Sequence, residues 1–214
     1  MNKCRVILVR HGETNWNKEG RYQGQIDTEL SERGIEQGKA LALALKDIHI
    51  DEFYASHLKR ARDTAGFCAQ YHGKDVKVDE RLQEIAHGTW EGRLASDVEL
   101  ESPELLKAWR QTPDKVLMPE GEDLQMLNQR SMRALEDIAS SNVGKTVLVA
   151  AHDATNKVLI CSIMQAPLSS FWQVKQDNTC INVIEYENGV WRLVLLNSTL
   201  HMGYLYSGIE QKGL

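Results

Sequence analysis

No apolar run in this chain approaches the roughly 20 residues that a membrane-spanning helix needs. Basic charge is also short: 25 lysines and arginines stand against 30 aspartates and glutamates, a formal net charge of −5. A broad nucleic-acid-binding surface ordinarily carries a basic excess, so none is expected, and any anionic ligand must be held by a local cluster of cations. Cysteine is sparse. Cys4, Cys68, Cys161 and Cys180 show no Cys-x-x-Cys spacing and sit in or beside apolar segments, which predicts reduced core thiols rather than disulfides or metal ligands. The N-terminus, MNKCRVILVRHG, has a basic start but lacks the apolar length and cleavage pattern of a signal peptide, and a cytoplasmic location is the expectation. No internal repeat or low-complexity tract is visible.

What is present reads as one α/β domain over residues 1–214, with 42% hydrophobic and 26% charged residues,. CRVILV at 4–9 and KTVLVAA at 145–151 are short aliphatic runs of the kind buried on both faces of a parallel sheet,. Both end at a histidine, His11 after Arg10 and His152 directly. Ligands of open α/β sheets bind beyond the carboxyl ends of the strands, so the two histidines are candidates for one crevice. Ser31 is a suitable N-cap for a helix carrying Ile35, Ala42 and Leu45 on one face. A strand is predicted over 50–56, then helices over 57–71, 122–140 and from Ala154. INVIEYENGVWRLVLL reads as two strands joined by an Asn-Gly turn,. The predicted fold is a three-layer sandwich with a mostly parallel central sheet flanked by helices. Residues 86–121, which hold Pro103, Pro113 and Pro119, three of the four prolines, fit the alternation least and are read as a small helical and loop insertion over the site.

The stretch LVRHGETNWN resembles the signature of the histidine phosphatase superfamily, in its phosphoglycerate-mutase-like branch. GRYQGQIDTELSERGIEQ, ASHLKRARDTA, RLQEIAHGTWEG and VLVAAHD resemble further motifs in that family's order, from position 6 to about 157. The resemblance implies a metal-independent phosphomonoesterase with no cofactor, acting on a small phosphorylated metabolite: a phosphoserine, phosphoglycerate, sugar phosphate or nucleoside phosphate. Its residues carry over as His11, the nucleophile that becomes phosphohistidine; Glu84, the proton donor and later base; and His152, a cationic donor beside the phosphoryl group. Arg10, Asn17 and Arg60 would bind phosphate with His152, and Gln23 and Gly24 would touch the rest of the substrate. The residue types suit that chemistry. Phosphoryl transfer spreads charge over three equatorial oxygens, and the planar guanidinium grips such oxygens in pairs. An imidazole splits the displacement in two through a covalent intermediate.

Glu91 competes with Glu84 as the acid. His49, His57, His72, His87 and His201 carry no role beyond surface or packing. Trp90, Arg93, Trp109 and Arg110 are possible substrate contacts. The family commonly has glycine after the second histidine and often arginine downstream, where this chain has Asp153 and Lys157. Asp153 is read either as an N-cap for a helix starting at Ala154 or as a carboxylate that raises the His152 pKa. PEGED at 119–123 resembles a loop of phosphatase members. The region 93–121 lacks the arginine-rich insertion of the mutases, which favours hydrolysis over a cofactor-dependent phosphoglycerate mutase. A non-catalytic phosphate-binding protein is the third reading. A homodimer is expected by analogy; no membrane or nucleic-acid partner is expected.

Overall fold

Aliphatic residues that alternate between two covered faces set the architecture. The computed structural model describes residues 2–205. Strand β1 (Cys4–Arg10) sends Val6 and Leu8 to one face and Ile7 and Val9 to the other, all essentially buried. β4 (Thr146–Ala151) does the same with Val147 and Val149 against Leu148 and Ala150. Helices α6 (Leu124–Ser141) and α7 (Asp153–Ile163) cover the first face through Leu135, Ile138 and Leu159. Helices α2 (Glu32–Leu45) and α3 (Lys59–His72) cover the second through Leu41, Leu45, Ala65 and Cys68. The three layers follow from strands with no solvent face.

The sheet is completed by β2 (Glu52–Ala55), β3 (Val76–Val78), β5 (Ile181–Glu187) and β6 (Val190–Ser198), in the order β3-β2-β4-β1-β5-β6. Pairings β1–β4, β2–β4 and β2–β3 are parallel, whereas β1–β5 and β5–β6 are antiparallel. The expected hairpin turns at Asn188 and Gly189, with φ of 52° and 79°, as a tight turn matching strand twist requires. All four cysteines are free and buried, as anticipated.

Two elements escaped the sequence reading. Helix α1 (Asn15–Glu19) buries no residue and is held by a capping box between Thr14 and Asn17, so it has no apolar stripe to detect. β3 has three residues, none fully buried. Residues 86–121 contain α4 (Ala95–Glu101) and α5 (Pro103–Gln111). Their apolar residues form a separate core cluster with α6 and α7, in which Trp90, Leu106 and Trp109 meet Leu124, Val158 and Phe171.

The loop after β1 lies almost in contact with the first turn of α2. A Cβ on Gly34 would sit 2.0 Å from the Glu13 carbonyl oxygen, and one on Gly12 would sit 2.6 Å from the Gly34 oxygen. On α3, by contrast, a Cβ on Gly66 would meet nothing within 4 Å. Gly34→Ala is therefore expected to cost about 1–3 kcal/mol of stability in urea unfolding, while Gly66→Ala is neutral or stabilising. Equal behaviour of the two variants would contradict this close approach.

Candidate active site

Strand register brings the two histidines together. Arg10 pairs with Ala151 across β1 and β4, and the His11 amide donates to the Ala151 carbonyl at 3.0 Å. The next residue on each strand is thus a histidine, and the His11 and His152 rings lie with centroids 5.2 Å apart. His11 Nδ1 is 2.7 Å from the Gly12 carbonyl oxygen. A carbonyl only accepts, so the ring proton resides on Nδ1 and Nε2 keeps a lone pair. Burial, then Arg60 and Arg10, holds the His11 pKa well below 6.5. His152 is fully buried and neither ring nitrogen has a partner. Burial and the charges of Arg60 and its neighbours push its pKa down as well. The ligand-free site therefore favours a neutral His152, whereas the expected cationic donor belongs to the state with a phosphoryl group beside it.

The arginines arrive from different elements. Arg60, in the first turn of α3, has no exposed surface. Its Nη2 donates to the Gly24 carbonyl at 2.7 Å and its Nη1 to the Ile26 carbonyl at 2.9 Å, and burial brings its pKa down to about 10. Arg10 donates through Nη1 to the Gln176 carbonyl at 2.6 Å. Each guanidinium leaves Nε buried without a partner. Four nitrogens, Nε of Arg10 and Arg60 and both of His152, are thus desolvated and unsatisfied, although buried polar groups normally have partners. A tetrahedral oxyanion would supply acceptors for the two guanidinium Nε–H groups and for the single N–H of a neutral His152. Asn17, Gln23, Gly24 and Glu84 line the same pocket. The Asn17 and Gln23 carbonyl oxygens already accept from the Thr14 amide at 3.1 Å and the Thr14 hydroxyl at 2.8 Å, so what these side chains can offer a ligand is their N–H groups.

Glu84 is the buried acid. Its Oε1 accepts from the amides of Ile85 at 3.0 Å and Thr155 at 3.1 Å, and its Oε2 from the Ala154 amide at 3.1 Å. Two of those amides open α7, so Glu84 caps that helix from outside it. Burial and the nearby Asp153 charge raise its pKa against those bonds. The PEGED loop fixes the backbone around it. Glu122 pairs with Arg130 at 2.7 Å and accepts from the Ala86 amide at 3.0 Å, and Arg130 donates to the Gln83 and Glu84 carbonyls at 2.7 and 2.8 Å. Glu91 instead clamps the loop, accepting from the Gln25 and His87 amides at 3.0 Å each.

A family model for the histidine phosphatase superfamily (branch 1) matches residues 6–199. The chain belongs to that superfamily. Among histidine phosphatases it is 38% identical over 202 residues to phosphoserine phosphatase 1 of Hydrogenobacter thermophilus, covering 94% of this chain and 96% of that one. It is 34% identical over 191 residues to a protein of Escherichia coli named "Probable phosphoglycerate mutase GpmB", covering 87% and 86%. Among solved structures, YhfR of Bacillus stearothermophilus superposes with a TM-score of 0.89 at 28% identity, covering 93% of this chain and 99% of that one. The six-stranded, mostly parallel sheet flanked by helices is the fold this chain shares with that structure.

Some expectations for this histidine phosphatase need correction. Asp153 is not the N-cap: α7 starts at Asp153 with His152 in the cap position, and the Asp153 carboxylate turns to Arg10 and Lys157. Its charge does not outweigh the burial and arginine charges that lower the His152 pKa. Trp90 and Trp109 are core residues rather than substrate contacts, while Arg93 pairs with Glu101 and Arg110 with Glu99. His87, read as packing, lines the pocket with Arg21, Tyr22 and Asp153. Its ring lies 5.0 Å from Tyr22, and burial brings its pKa down to about 4. Its place three residues after Glu84, within one motif, was the available signal. His49 stands beside Asp51, His72 against Phe53 and His201 beside Thr179. Among the described residues no group of three or more His, Cys, Asp or Glu side chains could hold a metal ion.

These environments give a direct titration test. In nitrogen-15 NMR of ligand-free protein, His11 should be the Nδ1-protonated tautomer, and both site histidines should stay neutral at pH 6.5. Half-protonation of either at that pH would contradict the electrostatic reading.

Proposed function

We propose that this chain hydrolyses phosphomonoesters of small metabolites through a phosphohistidine on Nε2 of His11. The observation that carries this reading is the convergence, around one pocket, of an imidazole lone pair with the buried, unpartnered Nε atoms of Arg10 and Arg60, and the unpartnered His152 ring 5.2 Å from that imidazole. The Nε2 lone pair attacks phosphorus in line with the ester oxygen. Arg10, Arg60, Asn17 and an N–H of His152 meet the equatorial oxygens as charge builds on them. The P–O bond breaks, and the leaving alkoxide takes its proton from Glu84, whose raised pKa keeps that proton available,. Water then attacks the phosphohistidine, Glu84 takes the water proton, the P–N bond breaks and phosphate leaves. The cations already in the pocket supply the positive charge, so no step calls for a metal.

For the substrate, we favour a compact metabolite of the phosphoserine or phosphoglycerate kind. Support comes from the relative named phosphoserine phosphatase and from the polar rim of Arg21, Tyr22, Gln23 and His87 that would face the alcohol half. Sugar and nucleoside phosphates belong in the same panel. The competing mutase reading is favoured by the relatives named as phosphoglycerate mutases. Transfer to a second substrate hydroxyl would replace transfer to water, with the same nucleophile.

Phosphate release from such a panel, measured with chelator present, separates these readings. Wild type should turn over with chelator, and His11→Ala should lose on the order of a thousandfold or more of kcat/KM. Interconversion of primed phosphoglycerates without phosphate release would assign the chain to the mutases.

A further inference from the structure

The residue after His152 carries a charge that the proposed chemistry does not use. Asp153 is 5% exposed and its two carboxylate oxygens reach different cations: Oδ1 lies 3.3 Å from Arg10 Nη1, and Oδ2 lies 2.8 Å from Lys157 Nζ. Lys157, one turn along α7, is completely buried, with its ammonium 4.5 Å from the Trp172 ring centroid and 4.9 Å from that of Phe171. Burying an ammonium at that depth is costly unless it is paired. The aromatic faces and the Asp153 carboxylate supply the compensation.

Arg10 has a second anchor. Its Nη1 also donates to the Gln176 carbonyl at 2.6 Å, so the guanidinium stays oriented even without a carboxylate. What the carboxylate adds is charge. The buried cluster comprises Arg10, Arg60 and Lys157 as cations and Asp153 as the carboxylate, with Glu84 beside them as the acid whose proton the reaction uses. A phosphate dianion entering beside Arg10 feels every unit in that sum, and at short range in a desolvated pocket each unit is a large effect. Such a site must grip the ester and still let go of inorganic phosphate.

We propose that Asp153 and Lys157 are positioning residues that act through Arg10: Asp153 trims the guanidinium's pull on phosphate, and Lys157 limits that trimming. The inference rests on the phosphatase reading for its purpose, though not for its physical content. It predicts opposite signs. Asp153→Asn removes a negative charge and should tighten the binding of inorganic phosphate, whereas Lys157→Met removes a positive charge and should weaken it. Each single change is expected to be about tenfold, and the double variant should return to within about threefold of wild type. A pair that served only as a structural brace would give weaker binding in both single variants.

The experiment is isothermal titration calorimetry of inorganic phosphate into the full chain, with thermal melts to confirm folding. Asp153→Gly, which also removes the charge, is the second probe if Asp153→Asn melts early. Parallel turnover should show stronger product inhibition and lower kcat in Asp153→Asn. Opposite shifts that cancel in the double variant support the inference, even if wild type hydrolyses no ester, in which case the phosphatase reading alone falls. Weaker binding in both single variants, with hydrolysis intact in wild type, overturns the inference alone.

Discussion

One hydrogen bond, from Nδ1 of His11 to the carbonyl of its own neighbour Gly12, settles which face of the imidazole can react. At 2.7 Å it places the ring proton on the inner nitrogen, so the outer one presents a lone pair to the pocket. Everything around the site protects that arrangement. The Gly12 amide donates to the Thr64 hydroxyl at 3.0 Å, and the His11 carbonyl accepts from Asn178 Nδ2 at 3.1 Å. The glycines at 12 and 34 let α2 press against the same loop, where a side chain on either would collide with backbone. A histidine held by its own backbone leaves little room for a tautomer switch.

The second constraint is charge without water. Arg60 has no exposed surface, and Arg10 and Glu84 are only 9% and 8% exposed. Ionised groups are placed there only when backbone dipoles and partners compensate them. Loop carbonyls of Gly24, Ile26 and Gln176 hold the guanidinium Nη atoms, and the first amides of α7 hold the Glu84 carboxyl. The Nε atoms and the His152 ring are left unsatisfied. The fold, not the ligand, thus meets the cost of orienting the donors, and an incoming oxyanion meets them already aligned. Burial keeps His11 neutral, and the arginines that would stabilise a phosphoryl group add to it by repelling a proton from the nucleophile.

The strands and their histidines were legible in the sequence because each is a continuous aliphatic run ending in polar residues. The long helices were legible from their apolar stripes and from caps such as Ser31, whose hydroxyl accepts from the Gly34 amide at 3.0 Å. Arg10, His11, Asn17, Gln23, Gly24, Arg60 and Glu84 do line one pocket, and His152 stands against His11. What escaped had no periodic signal. Helix α1 buries nothing, and Arg130 acts through backbone carbonyls on a distant loop. Asp153 misled because a small acid before a helix is usually a cap. Here a carboxylate 69 positions earlier, Glu84, accepts from the helix amides instead, and only the tertiary arrangement reveals that substitution. The tryptophans of the 86–121 segment suggested substrate contacts, but their size served to build a third core cluster.

The most direct test of this account is rapid acid-free quenching of the chain during turnover of a phosphomonoester, with the modified residue located by mass spectrometry and its linkage by phosphorus NMR. The account predicts one phosphoryl group on His11, bonded through Nε2, forming and decaying at rates compatible with turnover. A phosphoryl group on Nδ1, on His152, or on no histidine in a chain that is actively hydrolysing ester would contradict it.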